Sequence, residues 1–544
     1  MLFVTFFVLS GCKKSTGSGP VAADAALSFT VNDSYNGTLI YTNLNAIPVI
    51  KINFSEAVNT TDLAAGIVFT NAGGTAVAYN TQLQNAGKTV LITPQQALAS
   101  FTRYNLSVGS NIKTATGGKL INPVNIQLST GINDTDKFPR ISDEELLTLV
   151  QKQTLKYFYD FGHPNSGLAR ERNTSGNTVT TGGSGFGIMA IVAGASRNFI
   201  SRTEGLLRIQ KMVNFLKTAD RFHGVYPHWI DGNTGKVIPF STKDNGGDLV
   251  ETSFLIQGLL TAKQYFDRTD AAELALRNDI NAIYNAVEWD WYRKDNSNVL
   301  YWHWSPNYNW ELNLPLRGWN EGLVTYALAA SSPTHPIPKS VYDAGWASNG
   351  SIRNGNSYYN IQLPLGEPNG GPLFFEHYSF LGIKPVGLTD AYANYETQAK
   401  NHTLINRAYC IANPKAYAGY SADCWGLTAS DIQNGYTASS PSNDVGVIAP
   451  TAALSSFPYT PAESMQALKF FYYKLGDKMW GEYGFYDSFN LTQSWFATST
   501  LAIDQGPIVV MIENYRTGLL WNLFMSCPEV KQGMKNLGFQ SPYL

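Results

Sequence analysis

The 544-residue chain is almost neutral, with 39 Lys and Arg residues against 41 Asp and Glu residues and a formal net charge of −2. This balance excludes electrostatic recognition of nucleic acid or of a polyanionic polymer. Charged residues make up only 15% of the chain and aromatic residues 13%, a composition suited to stacking on uncharged ligands such as sugar rings. The length exceeds what one hydrophobic core usually organises, so we expect two folded units.

The first segment of the chain has the pattern of an export signal. An apolar run over residues 2–9 leads into Leu9-Ser10-Gly11-Cys12, which resembles a bacterial lipobox, where cleavage precedes the cysteine that then carries the lipid. Residues 13–20 are polar and rich in Gly and Ser, as in a flexible tether. We therefore expect residues 1–25 to be a lipoprotein signal and tether, with Cys12 lipidated and the protein anchored in the cell envelope, in the periplasm or at the outer membrane.

The remaining cysteines are Cys410, Cys424 and Cys527, and they lack the Cys-x-x-Cys or Cys/His spacing of a zinc site. We expect neither a metal nor any other cofactor. In an exported protein Cys410 and Cys424 could form a disulfide worth about 3 kcal/mol. The alternative is that both cysteines are free thiols.

Residues 26–131 alternate apolar and polar side chains with a period of two, which predicts half-buried strands. The apolar members include Ile50, Ile52, Phe54, Tyr104, Leu106, Val108, Val124, Ile126 and Leu128. Gly-rich turn signals separate the runs at the spacing of a β-sandwich. The segment resembles the bacterial Ig-like module, which implies a spacer in front of the larger unit.

The pattern becomes helical after a polar linker at 132–141. Ser142 and Glu145 have the spacing of a capping box, so we expect a helix to begin there. Periodicity predicts eleven or twelve helices over 142–544. Long loops rich in Gly, Pro and aromatic residues separate several of them, and loops of that length are usually functional. Both observations favour a toroid of paired helices.

Cleavage of a bond between sugars needs one carboxylic acid to protonate the leaving oxygen and a second carboxylate to activate water. Asp248 and Glu251 stand three residues apart at the start of an apolar helix, after Gly246-Gly247 and near a third carboxylate, Asp244. We interpret this group as part of an active site. A capping box formed by Asp248 and Glu251 is the structural alternative.

The densest aromatic region covers residues 289–310 and leads to Trp319 and Glu321. Trp302 and Trp304 are candidates for stacking on a glycan. Glu321 lies beside Trp319 at the start of a helix, where partial burial would raise its pKa as a general acid requires. Stabilisation of a helix dipole is the alternative role of this carboxylate.

Asp504 also precedes an apolar helix, and N-capping is its structural alternative. In a toroid whose inner helices start at one rim, carboxylates at helix starts would converge on one cleft. Further side chains are predicted to contact substrate, namely Trp319, Asp244, His228, Trp229, Glu376, His377, Tyr378, Trp302 and Trp304.

Between Ser142 and Leu544 the chain carries, in order, Gly185-Phe186-Gly187, His228-Trp229, Gly247-Asp248-Leu249-Val250-Glu251-Thr252, Trp319-Asn320-Glu321-Gly322, Phe374-Phe375-Glu376-His377-Tyr378 and Asp504-Gln505-Gly506-Pro507. Together these segments resemble glycoside hydrolase family 144, the bacterial glucoamylase-like family whose characterised members cut β-1,2-glucans. The resemblance implies a mainly α, (α/α)6 toroid, an inverting mechanism and no metal. It also implies essential acidic residues at Asp248, Glu251, Glu321 and Asp504.

We therefore predict an endo-acting, inverting β-1,2-glucanase that releases sophoro-oligosaccharides. Glu321 would be the general acid and Asp504 the general base, about 6.5–9.5 Å apart if the mechanism inverts. We expect a monomer whose partner is a neutral glucan, with membrane contact only through the lipid. Three alternatives stay open: an exo-acting sophorose-releasing enzyme, an α-glucan glucoamylase, and a glycan-binding envelope lipoprotein without activity.

Overall fold

The computed structural model describes residues 22–544. The predicted lipobox and Cys12 therefore lie outside the described residues. The chain divides into two compact units, Met1–Asn133 and Asp134–Leu544, and the division falls inside the linker predicted at 132–141.

The first unit is a sandwich of two four-stranded sheets. Its strands are β1 Leu27–Val31, β2 Ile40–Leu44, β3 Ile50–Phe54, β4 Ile67–Asn71, β5 Tyr79–Gln84, β6 Thr89–Pro94, β7 Arg103–Val108 and β8 Val124–Thr130. One sheet has the order β1-β3-β6-β5 and the other β2-β8-β7-β4. Ile52, Val90, Leu106 and Ile126 are fully buried, because alternate residues of each strand point into the core. The predicted β-sandwich is confirmed.

The second unit contains eleven helices of at least eight residues within the described part of the chain. They are α1 Asp143–Tyr159, α2 Thr181–Ser196, α3 Arg202–Leu216, α4 Leu249–Tyr265, α5 Ala271–Asn285, α6 Leu323–Ser331, α7 Tyr395–Ala412, α8 Pro461–Lys469, α9 Ala502–Arg516, α10 Leu519–Ser526 and α11 Pro528–Leu537. None of the helices within residues 22–544 combines the length and apolar character that crossing a bilayer requires.

These helices alternate between an inner and an outer ring. Helices α2, α4 and α6 are buried almost all round, as expected of helices enclosed by others. Helices α1 and α3 bury one face only, and each begins with a capping box, at Ser142 and Ser201. Two inner positions hold short helical segments, the α-helix Pro450–Leu454 and the 3₁₀ helix Ser379–Leu381. Helix α2 packs against both α4 and α9, and α4 packs against α6, which gives the predicted (α/α)6 toroid.

Short strands lie among the loops of the toroid. They are β9 Thr178–Thr180, β10 Trp229–Asp231, β11 Val237–Ile238, β12 Gly247–Asp248, β13 His303–Trp304, β14 Ser357–Tyr358, β15 Ile361–Gln362, β16 Ala429–Ile432, β17 Gly435–Ala438, β18 Trp480–Gly481, β19 Gly484–Phe485, β20 Phe489–Asn490 and β21 Trp495–Phe496. Strand β9 leads directly into α2, and β12 leads into α4. The starts of α2 and α4 are therefore fixed by backbone pairing.

The close packing of α2 on α4 depends on two glycines. A Cβ atom on Gly185 would lie 2.1 Å from the carbonyl oxygen of Phe254, and one on Gly258 would lie 2.2 Å from that of Gly185. We expect Gly185→Ala to destabilise the toroid by about 1–3 kcal/mol or more, because backbone would have to move. Thermal unfolding measures this loss. Gly205→Ala in α3, where the nearest atom would be 3.4 Å away, is the control, and an unchanged midpoint for Gly185→Ala would contradict the packing argument.

The three cysteines of this unit are buried free thiols. No disulfide joins Cys410 to Cys424, so the free-thiol alternative is the one realised. Burial raises the pKa of Cys410 to about 12, which keeps this thiol protonated and unreactive.

Candidate active site

The candidate site is a cavity of about 420 Å³ at the end of the toroid where α2, α4, α6 and α9 begin. We call it the central cavity. Six of the predicted site residues line it: His228, Trp229, Glu251, Trp302, Glu321 and Tyr378. They come from separate segments of the chain, and the inner ring brings them together at one rim.

Asp248 is the N-cap of α4 and has no exposed surface. Its Oδ1 accepts hydrogen bonds from the backbone N–H groups of Val250 and Glu251, at 3.0 and 2.9 Å. Its Oδ2 lies 3.0 Å from His228 Nδ1 and 3.3 Å from His303 Nε2. Burial would raise the pKa of Asp248, but the two histidines hold it well below the usual range. Asp248 is thus an ionised anchor for the cavity wall.

Glu251 does not complete a capping box. Its Oε2 accepts a hydrogen bond from the backbone N–H of Gly182 at 2.7 Å and lies 3.3 Å from Thr180 Oγ1. Burial raises the pKa of Glu251, and the charge of Asp248 raises it further. The capping-box alternative is therefore wrong for Glu251, which faces the central cavity and ties α4 to the start of α2.

Two histidines lie beside these carboxylates and offset part of their negative charge. His228 Nε2 lies 4.0 Å from Glu251 Oε1, and His303 Nε2 lies 3.2 Å from Asp244 Oδ2. Burial alone would lower the pKa of each imidazole, but the neighbouring carboxylates raise both to about 9. Both rings therefore carry a positive charge at neutral pH. His228 also stacks on Phe240, with ring centroids 4.3 Å apart.

The same atoms have the spacing of a possible metal site. His228, Asp244 and Asp248 each bring one potential ligand atom to within 4.8 Å of the others. A nitrogen and two carboxylate oxygens would suit zinc or another divalent ion. In this structure those carboxylate oxygens contact the two imidazoles instead.

Glu321 is half-buried in the turn that precedes α6 and lines the central cavity. Burial raises the pKa of Glu321 to about 7, and the negative charges of Glu251 and Asp248 add to this effect. Ser379 Oγ donates a hydrogen bond to the Glu321 carbonyl oxygen at 2.5 Å, which fixes the turn. A carboxyl group that keeps its proton near neutral pH can act as a general acid.

Asp504 lies in the first turn of α9 and is 3% exposed. The N-cap of α9 is Leu501, and no side chain caps this helix, so the N-capping alternative for Asp504 is wrong. Its neighbours Leu501 and Ile503 line the central cavity.

The carboxyl group of Asp504 contacts that of Asp487. If both were ionised, Asp487 Oδ1 and Asp504 Oδ2 would have no hydrogen-bond donor within residues 22–544. Burial raises the pKa of both groups. The charge of Asp487 raises the pKa of Asp504 further, whereas the pKa of Asp487 is raised to about 7 by burial and the charge of Asp431, and the hydrogen bond with Asp504 lowers it. One proton shared by the pair supplies the missing donor and leaves a single negative charge.

A chain of charged side chains connects this pair to the cavity wall. The backbone N–H of Asp431 donates to Asp487 Oδ2 at 2.6 Å. Arg172 Nη1 donates to Asp431 Oδ2 at 3.0 Å, and Arg172 Nε donates to Glu171 Oε2 at 2.9 Å. Arg172 and Glu171 line the central cavity. None of these four residues was predicted from sequence, although Asp487 follows Gly484 and two aromatic residues, the context that marked the other carboxylates.

Tyr378 lines the central cavity, and nearby carboxyl groups affect the pKa of its hydroxyl. Burial raises the pKa of its hydroxyl, and the charges of Asp504, Glu321 and Glu251 contribute to the same shift. The phenol therefore stays protonated, and it lies within the electrostatic reach of all three carboxylates. Glu321 lines the central cavity, and Asp504 directly follows Ile503, which lines the same cavity.

Glu376, His377 and Trp319, which were predicted to contact substrate, do not line the central cavity. Glu376 is fully buried, and its Oε1 lies 2.9 Å from Trp319 Nε1, 2.8 Å from Gln398 Nε2 and 2.7 Å from His402 Nδ1. His377 is buried against Ser456, and burial lowers its pKa to about 3. Glu376 and Trp319 thus belong to a hydrogen-bonded network in the core, and His377 is held separately by Ser456.

Asp244, also predicted to contact substrate, is buried behind His303 and does not line the central cavity. Trp304 does not line the central cavity either. Its strand pairs with Gly247, and its ring packs against His223 and Trp291. Both residues support the wall, whereas Trp229 and Trp302 line it directly.

This (α/α)6 toroid gathers several buried carboxyl groups at one rim, and its function must be argued from that site and from related proteins, because one fold serves many functions. The family described as "Putative glucoamylase" matches residues 313–528, and the family described as "Bacterial Ig-like domain" matches residues 21–130. A curated protein of Parabacteroides distasonis, the exo β-1,2-glucooligosaccharide sophorohydrolase (non-reducing end), is 49% identical over 419 residues, which cover 73% of this chain. The chain spans 58% of the length of that relative.

Solved structures of related proteins are also similar to this chain in sequence and in fold. The endo-β-1,2-glucanase of Chitinophaga pinensis, in complex with sophorotriose and glucose, is 54% identical with a TM-score of 0.73, over 74% of this chain and 100% of that one. The β-1,2-glucanase of Parabacteroides distasonis is 41% identical with a TM-score of 0.72, over 91% of this chain and 72% of that one. The chain therefore belongs to the bacterial glucoamylase-like family, glycoside hydrolase family 144.

Proposed function

We propose that this protein hydrolyses β-1,2-glucan, cutting within the chain to release sophoro-oligosaccharides. The observation that carries the proposal is the presence, beside one cavity, of two carboxyl groups whose pKa values are shifted by different causes. Glu321 holds its proton near neutral pH, and the Asp487 and Asp504 pair retains one negative charge. The names of the related proteins support the β-1,2 linkage, and they include one endo-acting and one exo-acting enzyme.

In the proposed mechanism Glu321 donates its proton to the oxygen that leaves when the glycosidic bond breaks. Asp504 takes a proton from the attacking water, either directly or through a hydroxyl group of the substrate. Water attacks from the face opposite the leaving group, so the anomeric configuration inverts. Asp248 and Glu251 position His228 at the wall, where its positive charge can hold a sugar hydroxyl. No metal is needed for these steps.

The pH dependence of the reaction follows from Glu321. Because the acid must be protonated, we expect kcat/KM to fall as the pH rises through about 7, the pKa to which burial raises Glu321. On the acidic side, activity should appear only above the usual titration range of an aspartate, because the pKa of Asp504 is raised. A profile of kcat/KM from pH 4 to 9 measures both limbs, and constant activity between pH 7 and 9 would contradict the role of Glu321.

Product analysis on a panel of glucans tests the proposed substrate. The purified protein should release sophoro-oligosaccharides of several lengths from β-1,2-glucan and no product from laminarin, cellulose or starch. Release of sophorose alone from the start would favour the exo-acting alternative. Binding of β-1,2-glucan without any product would favour a glycan-capturing protein and overturn the proposal.

We also propose that the mature protein is anchored in the cell envelope by a lipid on Cys12. The support is the segment Leu9-Ser10-Gly11-Cys12 and the polar tether that follows. Cys12→Ser should move the protein from the membrane fraction to the soluble fraction without loss of specific activity, which fractionation and assay of both forms would measure. Retention of the variant in membranes would contradict the anchor.

A further inference from the structure

A second cavity, of about 480 Å³, adjoins the central cavity. Arg172 and Tyr436 line both of them. The remaining wall comes from the hairpin β16–β17 and from residues 495–499, which include β21. We call it the outer cavity. Its volume falls within the range of about 300–1,000 Å³ that is usual for small-ligand sites.

Two aromatic side chains present their rings to this space. Tyr436 is 48% exposed, although Tyr is usually more buried than this in a large domain. Trp495 is half-buried in β21. Neither ring forms a pair with another aromatic ring within residues 22–544, and both line the outer cavity.

The walls of the outer cavity are held in place by side-chain hydrogen bonds. Gln433 Nε2 donates to Gln493 Oε1 at 2.7 Å and joins the tips of the two hairpins. Ser499 Oγ donates to Asp431 Oδ2 at 2.5 Å, and Arg172 binds the same carboxylate. The aromatic faces are therefore organised before any ligand binds, which lowers the entropy cost of binding.

The charges of the outer cavity indicate a neutral ligand. The guanidinium group of Arg172 is paired with both Glu171 and Asp431, so it offers no free positive charge to an anion. Its N–H groups can still donate hydrogen bonds at the edge of a ligand. Aromatic faces combined with charge-neutral hydrogen-bonding groups suit a sugar ring.

We propose that the outer cavity is a distal subsite that binds further glucosyl units of the same glucan chain, stacked on Trp495 and Tyr436. The inference rests on the proposed function, because the central cavity holds the units that flank the cleaved bond. Tyr436 borders both cavities, so one chain can pass from the first to the second. A distal subsite of this kind makes the reaction depend on chain length.

The test compares the hydrolysis of β-1,2-linked oligosaccharides of increasing length. For Trp495→Ala we expect kcat/KM on long chains to fall roughly tenfold, the effect of one lost stacking contact. The value for the shortest oligosaccharide that is cleaved should change less than about twofold, because such a chain does not reach Trp495. Thermal unfolding verifies that the variant is folded.

A second variant, Thr498→Trp, tests the same cavity by filling it, so the test does not depend on whether Trp495→Ala folds. Thr498 is an exposed residue that lines only the outer cavity, and a tryptophan there would fill the space and reduce hydrolysis of long chains selectively. Tyr515→Ala removes an aromatic residue that is 43% exposed and lines neither cavity, so it should behave as the wild type.

Equal losses on short and long chains, or no loss on long chains in either variant, would overturn the distal subsite while the proposed function stands. Absence of hydrolysis by the wild-type protein on any β-1,2-linked substrate would overturn the proposed function, and the subsite with it. Selective loss on long chains in both variants supports the assignment.

Discussion

Glu321→Gln is expected to lower the turnover of β-1,2-glucan by roughly 10²–10⁴-fold, the usual contribution of a general acid. The amide has almost the same volume but has no proton to give to the leaving oxygen. A substrate whose leaving group needs no protonation, such as a sophorosyl fluoride, should be hydrolysed by the variant nearly as fast as by the wild type. Steady-state rates on the two substrates measure this difference.

The stability of the same variant provides a control. The pKa of Glu321 in the folded protein, about 7, is above the value of about 4.3 expected in the unfolded chain. Ionisation therefore favours unfolding, and wild-type stability is lost as the pH rises between these two values. Glutamine cannot ionise, so the unfolding midpoint of Glu321→Gln at pH 8 should not fall. Wild-type turnover of β-1,2-glucan by this variant would remove Glu321 from the mechanism.

Asp504→Asn is expected to reduce turnover by a similar factor, roughly 10²–10⁴-fold, because it removes the group that accepts the proton of water. The Asp504→Asn variant should lose as much activity on sophorosyl fluoride as on β-1,2-glucan, because water must attack whichever group leaves. Glu321→Gln differs, since it should be impaired on the glucan only. Binding of β-1,2-glucan should be preserved. Calorimetric titration and rates on both substrates distinguish a lost base from a lost binding residue.

Asp487→Asn is the matched control for the Asp504 prediction. The amide can still donate a hydrogen bond to Asp504, but the like charge that raises the pKa of Asp504 is gone. Activity should therefore persist, and its acidic limb should move to lower pH. If Asp504→Asn keeps wild-type turnover, or if only Asp487→Asn abolishes it, the base must be reassigned.

The architecture could be predicted because it depends on patterns local to each segment. Ile50, Ile52 and Phe54 alternate with polar residues, and they are buried in the sandwich core as that alternation requires. In the toroid, the capping box at Ser142 marks the start of the first helix. The helix over 181–196 is apolar on every side, as a helix of the inner ring must be.

The sequence pointed to residues that line the central cavity only where their chemistry and their local sequence context coincide. Glu321 stands in a turn whose Gly and Trp neighbours are visible in the sequence. Glu376 also stands among aromatic residues in the sequence. Its carboxyl group, however, is hydrogen-bonded to Gln398 and His402, which only the tertiary structure brings near it. Neighbouring residues in the sequence do not show whether a carboxylate lines a cavity or is hydrogen-bonded within the core.

The residues that tune Asp504 could not be found from local patterns. Arg172 and Asp487 lie in loops and Asp431 lies in β16, far apart in the chain, and their contacts form only when the toroid closes. Asp431 and Arg172 sit in short polar stretches that resemble ordinary solvated loops. Their importance follows from burial and pairing, which are properties of the folded protein.

The central claim is that Glu321 and Asp504 carry out an inverting hydrolysis of β-1,2-glucosidic bonds. Its most direct test is the anomeric configuration of the first products, followed by proton NMR while the purified protein acts on β-1,2-glucan. We expect the new reducing ends to appear first as the α-anomer and to reach the equilibrium mixture afterwards by mutarotation. Initial release of the β-anomer would indicate a retaining mechanism and would contradict the assignment of an acid and a base on opposite faces of the sugar.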